Sequence, residues 1–312
     1  MTPRYRELPV ADPIAARHAW DVYGRGDQLG RVNMLTQATV LAATAEVRRG
    51  AVFNVCLPLD LPDPPWSPER ERLRHEIFDV DRNAQDDVLH AFYPQASTQW
   101  DGLRHVRARE LGFWGGRQAD DAGPGGGALG IERWVDHGLV GRGVLVDVER
   151  RQRALGTPLD PRAGTPITVD MLRDTLAAQS VELRAGDFLL LRTGYVAAYL
   201  RADAAGRAGF ARERDCPGLH AGEEMAEFLW DAGVVAIAAD NPAVEVVPGS
   251  REAGSLHRRL IPLLGFVLGE LFDFERLAED CAADGRSTCL FVACPLNVPG
   301  GVGSPGNAIA IK

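Results

Sequence analysis

The sequence predicts one domain of the α/β or α+β class, because short apolar runs and amphipathic helical patterns both recur along its 312 residues. Short apolar runs that end at Gly, Pro or Asp are typical of buried strands. The helical segments between the strands do not follow the regular rhythm of repeated βαβ units, so the pattern leaves both classes open. The predicted strands lie at residues 51–57, 144–148, 188–192, 234–239, 290–293 and 308–311.

Four segments carry helix signals. Residues 36–49 end at Gly50, and glycine is a common residue just beyond a helix C-terminus. Thr168 is a typical N-cap for the helical pattern that follows it. Residues 223–232 and 274–283 are amphipathic, and each is soon followed by a glycine.

The composition is that of an ordinary soluble protein, with 46% hydrophobic and 25% charged residues. A net charge of −9 argues against a general nucleic-acid binder, which needs a basic surface. The first 17 residues lack the apolar core of a signal peptide. No apolar run approaches the ~18–20 residues that cross a bilayer. We therefore expect a cytoplasmic protein that binds neither nucleic acid nor membrane.

Three further features exclude or weaken particular mechanisms. Lys312 is the only lysine, and a terminal lysine is a poor candidate for Schiff-base catalysis. The five cysteines form no Cys-x-x-Cys pair, so neither a disulfide framework nor a zinc ribbon is expected. A catalytic serine is poorly supported, because the sequence contains no Gly-x-Ser-x-Gly elbow.

The strongest candidate site is the segment Ser-Thr-Gln-Trp-Asp-Gly-Leu-Arg-His that ends at His105. On an extended strand Gln99, Asp101, Leu103 and His105 would share one face. A carboxylate and an imidazole placed in this way can bind one metal ion or act as an acid/base pair. A half-buried strand with polar residues towards water gives the same alternation, so spacing alone leaves both interpretations open.

This segment resembles the signature of the bacterial cyclase family, which includes kynurenine formamidase, isatin hydrolase and trans-dienelactone hydrolase. That signature reads His-x-Gly-Thr-His-x-Asp-x-Pro-x-His, and Thr98, Asp101 and His105 match it. Towards the C-terminus, His257 and Glu270 resemble the second half-site of the family. The resemblance covers the chain from about residue 27 to its end.

The resemblance implies an α/β fold of the swivelling β/β/α type, a mixed sheet wrapped by helices as in kynurenine formamidase. We expect residues 1–312 to form one such domain, with residues 1–26 as an N-terminal extension.

The departures from the signature concern the metal. Gln95 and Gln99 stand where the family has its two leading histidines, and Leu103 stands in place of the proline. An amide oxygen suits a hard cation such as Mg²⁺ or Mn²⁺ better than it suits Zn²⁺. The sequence leaves open whether the site holds one metal ion, two or none.

The resemblance assigns the candidate roles. It implies a divalent metal ion (Mn²⁺, Mg²⁺ or Zn²⁺) as cofactor, with His105, Asp101 and Glu270 in catalysis. Because His257 and Glu270 are not neighbours on one helix, their meeting at the site is a tertiary prediction. The implied metal ligands are Gln99, Asp101, His105, His257 and Glu270.

Five further residues are candidates for contacting a small-molecule substrate. Asp240 and Glu245 follow an apolar strand, and polar residues at a strand end often line the site in α/β proteins. Trp100, Phe113 and Trp114 could form an aromatic wall for a planar molecule, although aromatic residues are more often core.

Three functions remain in view. The first is a metal-dependent hydrolase of a cyclic or aryl amide, lactam or lactone. The second keeps the fold without the metal, as a cyclase, dehydratase or isomerase that uses His105 and Asp101 for acid/base chemistry. The third is a non-catalytic binding protein.

Family members associate, and symmetric dimers are the commonest soluble assemblies, so we expect a homodimer or homotetramer. The proline-rich loop at residues 61–70 could then reach a neighbour's pocket.

Overall fold

A nine-stranded mixed sheet forms the centre of the computed structural model, which describes residues 2–12, 14–118 and 127–312. Its strands and those of three small pairs are, in chain order, β1 (Val10–Ala11), β2 (Ala16–Arg17), β3 (Val52–Asn54), β4 (Arg74–Asp81), β5 (Ala84–His90), β6 (Gln99–Asp101), β7 (Leu139–Asp147), β8 (Pro166–Ile167), β9 (Phe188–Arg192), β10 (Gly218–Leu219), β11 (Ala236–Ala239), β12 (Val267–Glu270), β13 (Thr288–Ala293), β14 (Gly303–Pro305) and β15 (Ala308–Ile311).

The large sheet has the order β14-β6-β12-β11-β9-β7-β13-β15-β3. The four strands from β12 to β7 run parallel, and antiparallel strands extend the sheet on both sides. Strands β9, β11 and β12 are buried along their whole length, which is why their sequences read as continuous apolar runs. The mixed sheet confirms the predicted α/β fold.

Helices surround the sheet, and several of them bury an apolar stripe. In the third helix the buried residues Val169, Leu172 and Leu176 recur at helical spacing. The side chains of Thr36 and Thr168 accept hydrogen bonds from the first turns of the helices that they precede, and this confirms Thr168 as a cap. The helices are α1 (Gln37–Ala43), α2 (Val148–Ala154), α3 (Val169–Ala178), α4 (Tyr195–Arg201), α5 (Ala204–Glu213), α6 (Glu223–Asp231), α7 (Leu256–Leu264) and α8 (Glu275–Asp284).

The candidate segment is extended for less of its length than predicted. Strand β6 ends at Asp101, and the backbone N–H of His105 donates to the carbonyl of Gly102 at 2.9 Å, which closes a turn. Gly102 packs so closely on the main chain that an added Cβ would lie 2.6 Å from the carbonyl oxygen of Val302. The expectation that Leu103 and His105 continue the face of Gln99 and Asp101 is therefore wrong.

Two other elements differ from the prediction. Helix α1 ends at Ala43 and continues as a short 3₁₀ turn, Thr44–Glu46, so the helix is shorter than residues 36–49. The hairpin β4–β5 was not predicted, and almost all of it is exposed, including the apolar side chains of Ile77 and Phe78. No helix in the part of the chain that the structure describes has the length and apolar character needed to span a membrane.

Candidate metal and acid–base site

Three strands place two carboxylates and an amide side by side. Strand β6 lies between β14 and β12, and its register sets Gln99 directly opposite Glu270. Asp101 lies two residues further along β6 and therefore shares the face of Gln99. The Gln99 Nε2 donates to Glu270 Oε2 at 2.6 Å and lies 3.5 Å from Asp101 Oδ1. Cross-strand pairing thus assembles this part of the site.

Helix α7 supplies an imidazole to the same place. His257 lies in the first turn of α7, and its Nε2 is 3.1 Å from Glu270 Oε1 and 3.7 Å from Asp101 Oδ2. Its other nitrogen, Nδ1, is 2.8 Å from Glu245 Oε1. Glu245 also accepts hydrogen bonds from the backbone N–H groups of Leu256 and His257, where a negative charge stabilises the start of a helix. Glu245 therefore fixes which nitrogen of His257 faces the carboxylates.

The donor set fits a hard or borderline divalent cation. One ligand atom from each of Asp101, His257 and Glu270 can be chosen so that all three lie within 4.8 Å of one another. Asp101 Oδ2 and Gln99 Oε1 are buried and have no hydrogen-bond partner among the described residues. Carboxylate and amide oxygens beside one imidazole suit Mg²⁺, Mn²⁺ or Zn²⁺. A histidine that binds a metal normally donates a hydrogen bond from its other ring N–H to a carboxylate, as His257 can from Nδ1 to Glu245.

Without a metal ion the ionisation of these groups is strongly coupled. Burial, together with the charge of Asp101, raises the pKa of Glu270 to about 7. Burial would also raise the pKa of Asp101, but the charges of His105 and His257 outweigh it and hold that pKa below its usual range. Burial alone would lower the pKa of His257, yet its hydrogen bonds with the surrounding carboxylates raise it well above the ordinary value. One carboxyl group is thus close to its titration point at neutral pH.

His105 lies at the edge of this cluster. Its Nε2 is 3.7 Å from Asp101 Oδ1, and 28% of its side chain is exposed, whereas Asp101 is fully buried. It does not belong to the group of three ligand atoms described above. Its place between Asp101 and solvent suits proton exchange better than metal ligation.

The predicted aromatic wall is wrong. Trp100 and Trp114 are fully buried in the core, and Phe113 is 8% exposed. Trp100 packs against Phe272 at 4.9 Å between ring centroids, and its Nε1 donates to the carbonyl of Gly306. On β6 its side chain points to the face opposite Gln99 and Asp101, so it cannot line the same site.

Asp240 and Glu245 also have roles other than the predicted substrate contacts. Asp240 is buried and accepts hydrogen bonds from the N–H and hydroxyl of Thr193 and from the N–H of Gly194. It therefore holds the turn between β9 and α4. Glu245 orients His257, and no sequence pattern indicated that contact because the two residues meet only in the tertiary structure.

Sequence reasoning overlooked Arg70. Its Nη1 donates to the carbonyl of Gln95, one of the two glutamines that replace signature histidines. Its positive charge helps to lower the pKa of Asp101 and partly opposes the rise in the pKa of Glu270. In a chain whose basic residues are nearly all arginine, no sequence signal distinguished this one.

The chain belongs to the cyclase family, because residues 35–246 match the model of that family. A crystal structure described as a novel cyclase is 32% identical, covers 95% of this chain and 99% of its own, and superimposes with a TM-score of 0.84. No curated protein matches the chain.

More distant solved structures share the fold. Isatin hydrolase A from Labrenzia aggregata, bound to benzyl benzoate, is 15% identical with a TM-score of 0.60 and covers 88% of this chain and 97% of its own. Isatin hydrolase A from Ralstonia solanacearum is 17% identical with a TM-score of 0.58, covering 89% and 98%. These structures support a cyclase-family fold shared with hydrolases.

Proposed function

We propose that this protein is a metal-dependent hydrolase that cleaves the C–N or C–O bond of a cyclic or aryl amide, lactam or lactone. The observation that supports this most is the convergence of Asp101, His257 and Glu270, with a buried Asp101 oxygen that accepts no hydrogen bond from the described residues. A buried polar atom without a partner is costly, and such atoms cluster at functional sites. The isatin hydrolases with the same fold support the reaction class.

Asp101, His257 and Glu270 would hold the cation. Gln99 could add its Oε1 as a further ligand after a rotation of its amide group by about 180°. A divalent cation there would supply Lewis-acid polarisation of a carbonyl and lower the pKa of a water molecule towards neutrality. Glu245 would keep His257 in the tautomer that presents its Nε2 lone pair.

The remaining residues would handle the protons. Glu270 or His105 would take a proton from the attacking water and return it to the departing nitrogen or oxygen. Burial raises the pKa of Glu270 to about 7 without a metal ion, and a bound cation would lower it, so that Glu270 would be ionised and able to accept a proton at neutral pH. His105, partly exposed and 3.7 Å from Asp101, could pass the proton between the buried site and solvent.

A second candidate is a metal-independent cyclase, dehydratase or isomerase. The observation that favours it is the position of the Gln99 amide nitrogen, which donates to Glu270 and lies near Asp101. Together with a protonated His257, this amide would partly offset the negative charge of both carboxylates without a cation. Asp101 and His105 would then act as the acid/base pair.

A hydrolysis panel tests the first candidate against the second. Aryl formamides, lactams and lactones are incubated with protein that has been freed of metal by a chelator and then supplied with Mn²⁺, Mg²⁺ or Zn²⁺. We expect hydrolysis only after cation is restored. Full hydrolytic activity in the presence of chelator would contradict the metal dependence, and the absence of hydrolysis with every cation would favour the second candidate.

We also propose that the protein assembles as a homodimer or homotetramer. The hairpin β4–β5 supports this, because it exposes Ile77, Phe78 and Val80 and an isolated two-stranded hairpin has little stability of its own. Light scattering at micromolar concentration should give a multiple of the 33.8 kDa chain mass. A mass near that of one chain would contradict the proposal.

A further inference from the structure

Arg70 is a cation without an anionic partner beside the candidate site. Its side chain is partly buried, and its Nη1 donates to the carbonyl of Gln95. Within residues 2–12, 14–118 and 127–312 no carboxylate forms an ion pair with it, and its Nε and Nη2 donate to no acceptor. Most of the hydrogen-bonding capacity of this guanidinium is therefore available to a ligand.

Contacts through Gln95 place Arg70 next to the carboxylates. The Gln95 side chain lies against β14, where an added Cβ on Gly303 would be 2.6 Å from Gln95 Nε2. Gly303 is the register partner of Asp101. The effect of the Arg70 charge on both Asp101 and Glu270 agrees with this position.

Two buried arginines of the chain differ from Arg70. Arg142 donates to Asp187 at 2.8 Å, and Arg192 binds three carboxylates. Carboxylates of the fold hold those two guanidinium groups, whereas Arg70 forms no ion pair with any residue that the structure describes. The planar guanidinium fork matches a carboxylate, which it can bind through two parallel hydrogen bonds.

There is room for a small organic molecule nearby. A cavity of about 600 Å³ is lined by residues that flank Arg70 and Gln99 in sequence, among them Glu71 and Thr98. This volume lies within the range of small-molecule sites. Two arginines in its wall are already engaged, since Arg72 pairs with Asp63 at 2.5 Å and Arg207 donates to the carbonyl of Leu200 while stacking on Tyr199.

We propose that Arg70 binds a carboxylate group of the substrate, so that the preferred substrates are amides, lactams or lactones that carry a carboxylate. The proposal rests on the hydrolase function proposed above and adds the substrate class to it. Arg70 thereby determines specificity: it selects a charged group remote from the bond that is cleaved.

A matched pair of substrates tests this assignment. Hydrolysis of 2-formamidobenzoate and of its uncharged counterpart formanilide is measured for the wild type, Arg70→Met and Arg70→Lys. Loss of a charge-assisted contact should raise KM for 2-formamidobenzoate about 10- to 100-fold in Arg70→Met, with a smaller rise in Arg70→Lys. The KM for formanilide should be unchanged in both, and any change in kcat caused by the lost Arg70 charge should be the same for the two substrates. An equal change in KM for both substrates, or none for either, overturns the assignment.

The control is Arg74→Met, because Arg74 is exposed on the same stretch of chain and pairs only with Glu76. It should hydrolyse both substrates like the wild type. Thermal melts of all variants establish that they are folded. If Arg207→Met lowers the affinity for 2-formamidobenzoate and Arg70→Met does not, the carboxylate of the substrate binds at Arg207 and the assignment to Arg70 is wrong.

A binding measurement separates this proposal from the hydrolase function. Calorimetric titration with benzoate and with benzamide requires no turnover. We expect benzoate to bind the wild type at least about 10-fold more tightly than benzamide, and Arg70→Met to lose that preference. If benzoate binds through Arg70 while neither formyl substrate is hydrolysed, the hydrolase function fails and the anion site stands. If the wild type shows no preference for benzoate, the anion site fails.

Discussion

Two clusters of charge in the protein differ in how their carboxylates are satisfied. In the structural cluster, defined by Arg192, Asp147, Glu149 and Glu275, one guanidinium donates to all three acids at 2.7–3.0 Å. In the site cluster, defined by Asp101, Glu270, Glu245 and His257, three carboxylates surround one imidazole. Both clusters lie at the ends of sheet strands, so position alone does not distinguish them.

The difference shows in the pKa values. Burial would raise the pKa of Glu149, but hydrogen bonds and charge from Arg153 and Arg192 outweigh it and hold that pKa below its usual range. Burial and a neighbouring carboxylate instead raise the pKa of Glu270 to about 7. A cluster whose acids are matched by fixed cations stabilises the fold. A cluster with unmatched acid oxygens is able to bind a cation or exchange a proton.

The largest expected effect is on turnover at the site cluster. Asp101→Asn and His105→Ala should each lower kcat about 10²- to 10⁴-fold on the substrate that the hydrolysis panel identifies, because each removes part of one proton-transfer unit. The double variant should lose little more than the worse single one, since residues that act as a unit are strongly non-additive. Kinetics and thermal melts are measured together. A destabilised but active His105→Ala protein would end the catalytic role of His105.

The structural cluster should respond in the opposite manner. Arg192→Met removes the cation shared by the buried Asp147 and Glu149 and the partly exposed Glu275, so the free energy of unfolding should fall by about 3–5 kcal/mol. The kcat of the molecules that remain folded should be unchanged. Urea unfolding and kinetics at low temperature measure the two quantities separately. A loss of kcat without loss of stability would make this cluster part of the active site.

The two clusters should also differ in pH dependence. For metal-free protein, the raised pKa of Glu270 means that its contribution to stability is complete below about pH 4.5 and is lost as pH rises through about 7. The wild type should therefore lose about 3 kcal/mol relative to Glu270→Gln between these pH values.

Glu149 has a lowered pKa, so its contribution is present above about pH 4.5 and is lost as pH falls. Denaturant unfolding at several pH values measures both slopes, with Glu149→Gln as the matched variant. Equal slopes for the two glutamates would contradict the distinction between the clusters.

A smaller effect is expected at Glu245, which acts through His257. Glu245→Gln keeps the size of the side chain but weakens its hold on the Nδ1 proton, and the affinity for Mn²⁺ should fall about 10- to 100-fold. Calorimetric titration with Mn²⁺ measures this without turnover. An unchanged affinity would show that Glu245 serves only as a helix cap.

The sequence predicted local structure better than it predicted contacts. The strands at residues 188–192 and 308–311 have the predicted bounds, because each is a compact apolar run with clear ends. The hairpin β4–β5 escaped prediction because its apolar and charged residues do not alternate regularly and it buries no face. The turn at Gly102 was overlooked because its cause is a contact with distant Val302.

The site was predictable only where a motif matched. Asp101, His105, His257 and Glu270 came from the family signature, and the structure brings Asp101, His257 and Glu270 together. The role of Glu245 depends on the fold of residues 245–257, and that of Arg70 depends on a loop packing against Gln95. Neither residue stands in a motif. The prediction that Trp100 lines the site was wrong, since strand alternation puts its side chain on the face opposite Gln99 and Asp101.

The most direct test of the central claim, that the site cluster binds a catalytic cation, is the metal content of protein purified without chelator. We expect about one divalent ion per chain, with Mn²⁺ or Mg²⁺ favoured over Zn²⁺ because an amide replaces an imidazole at Gln99. Asp101→Asn should lose the ion, and Asp147→Asn in the structural cluster should retain it. Wild-type protein that contains no ion, binds no added Mn²⁺ and keeps full activity in chelator would contradict the claim.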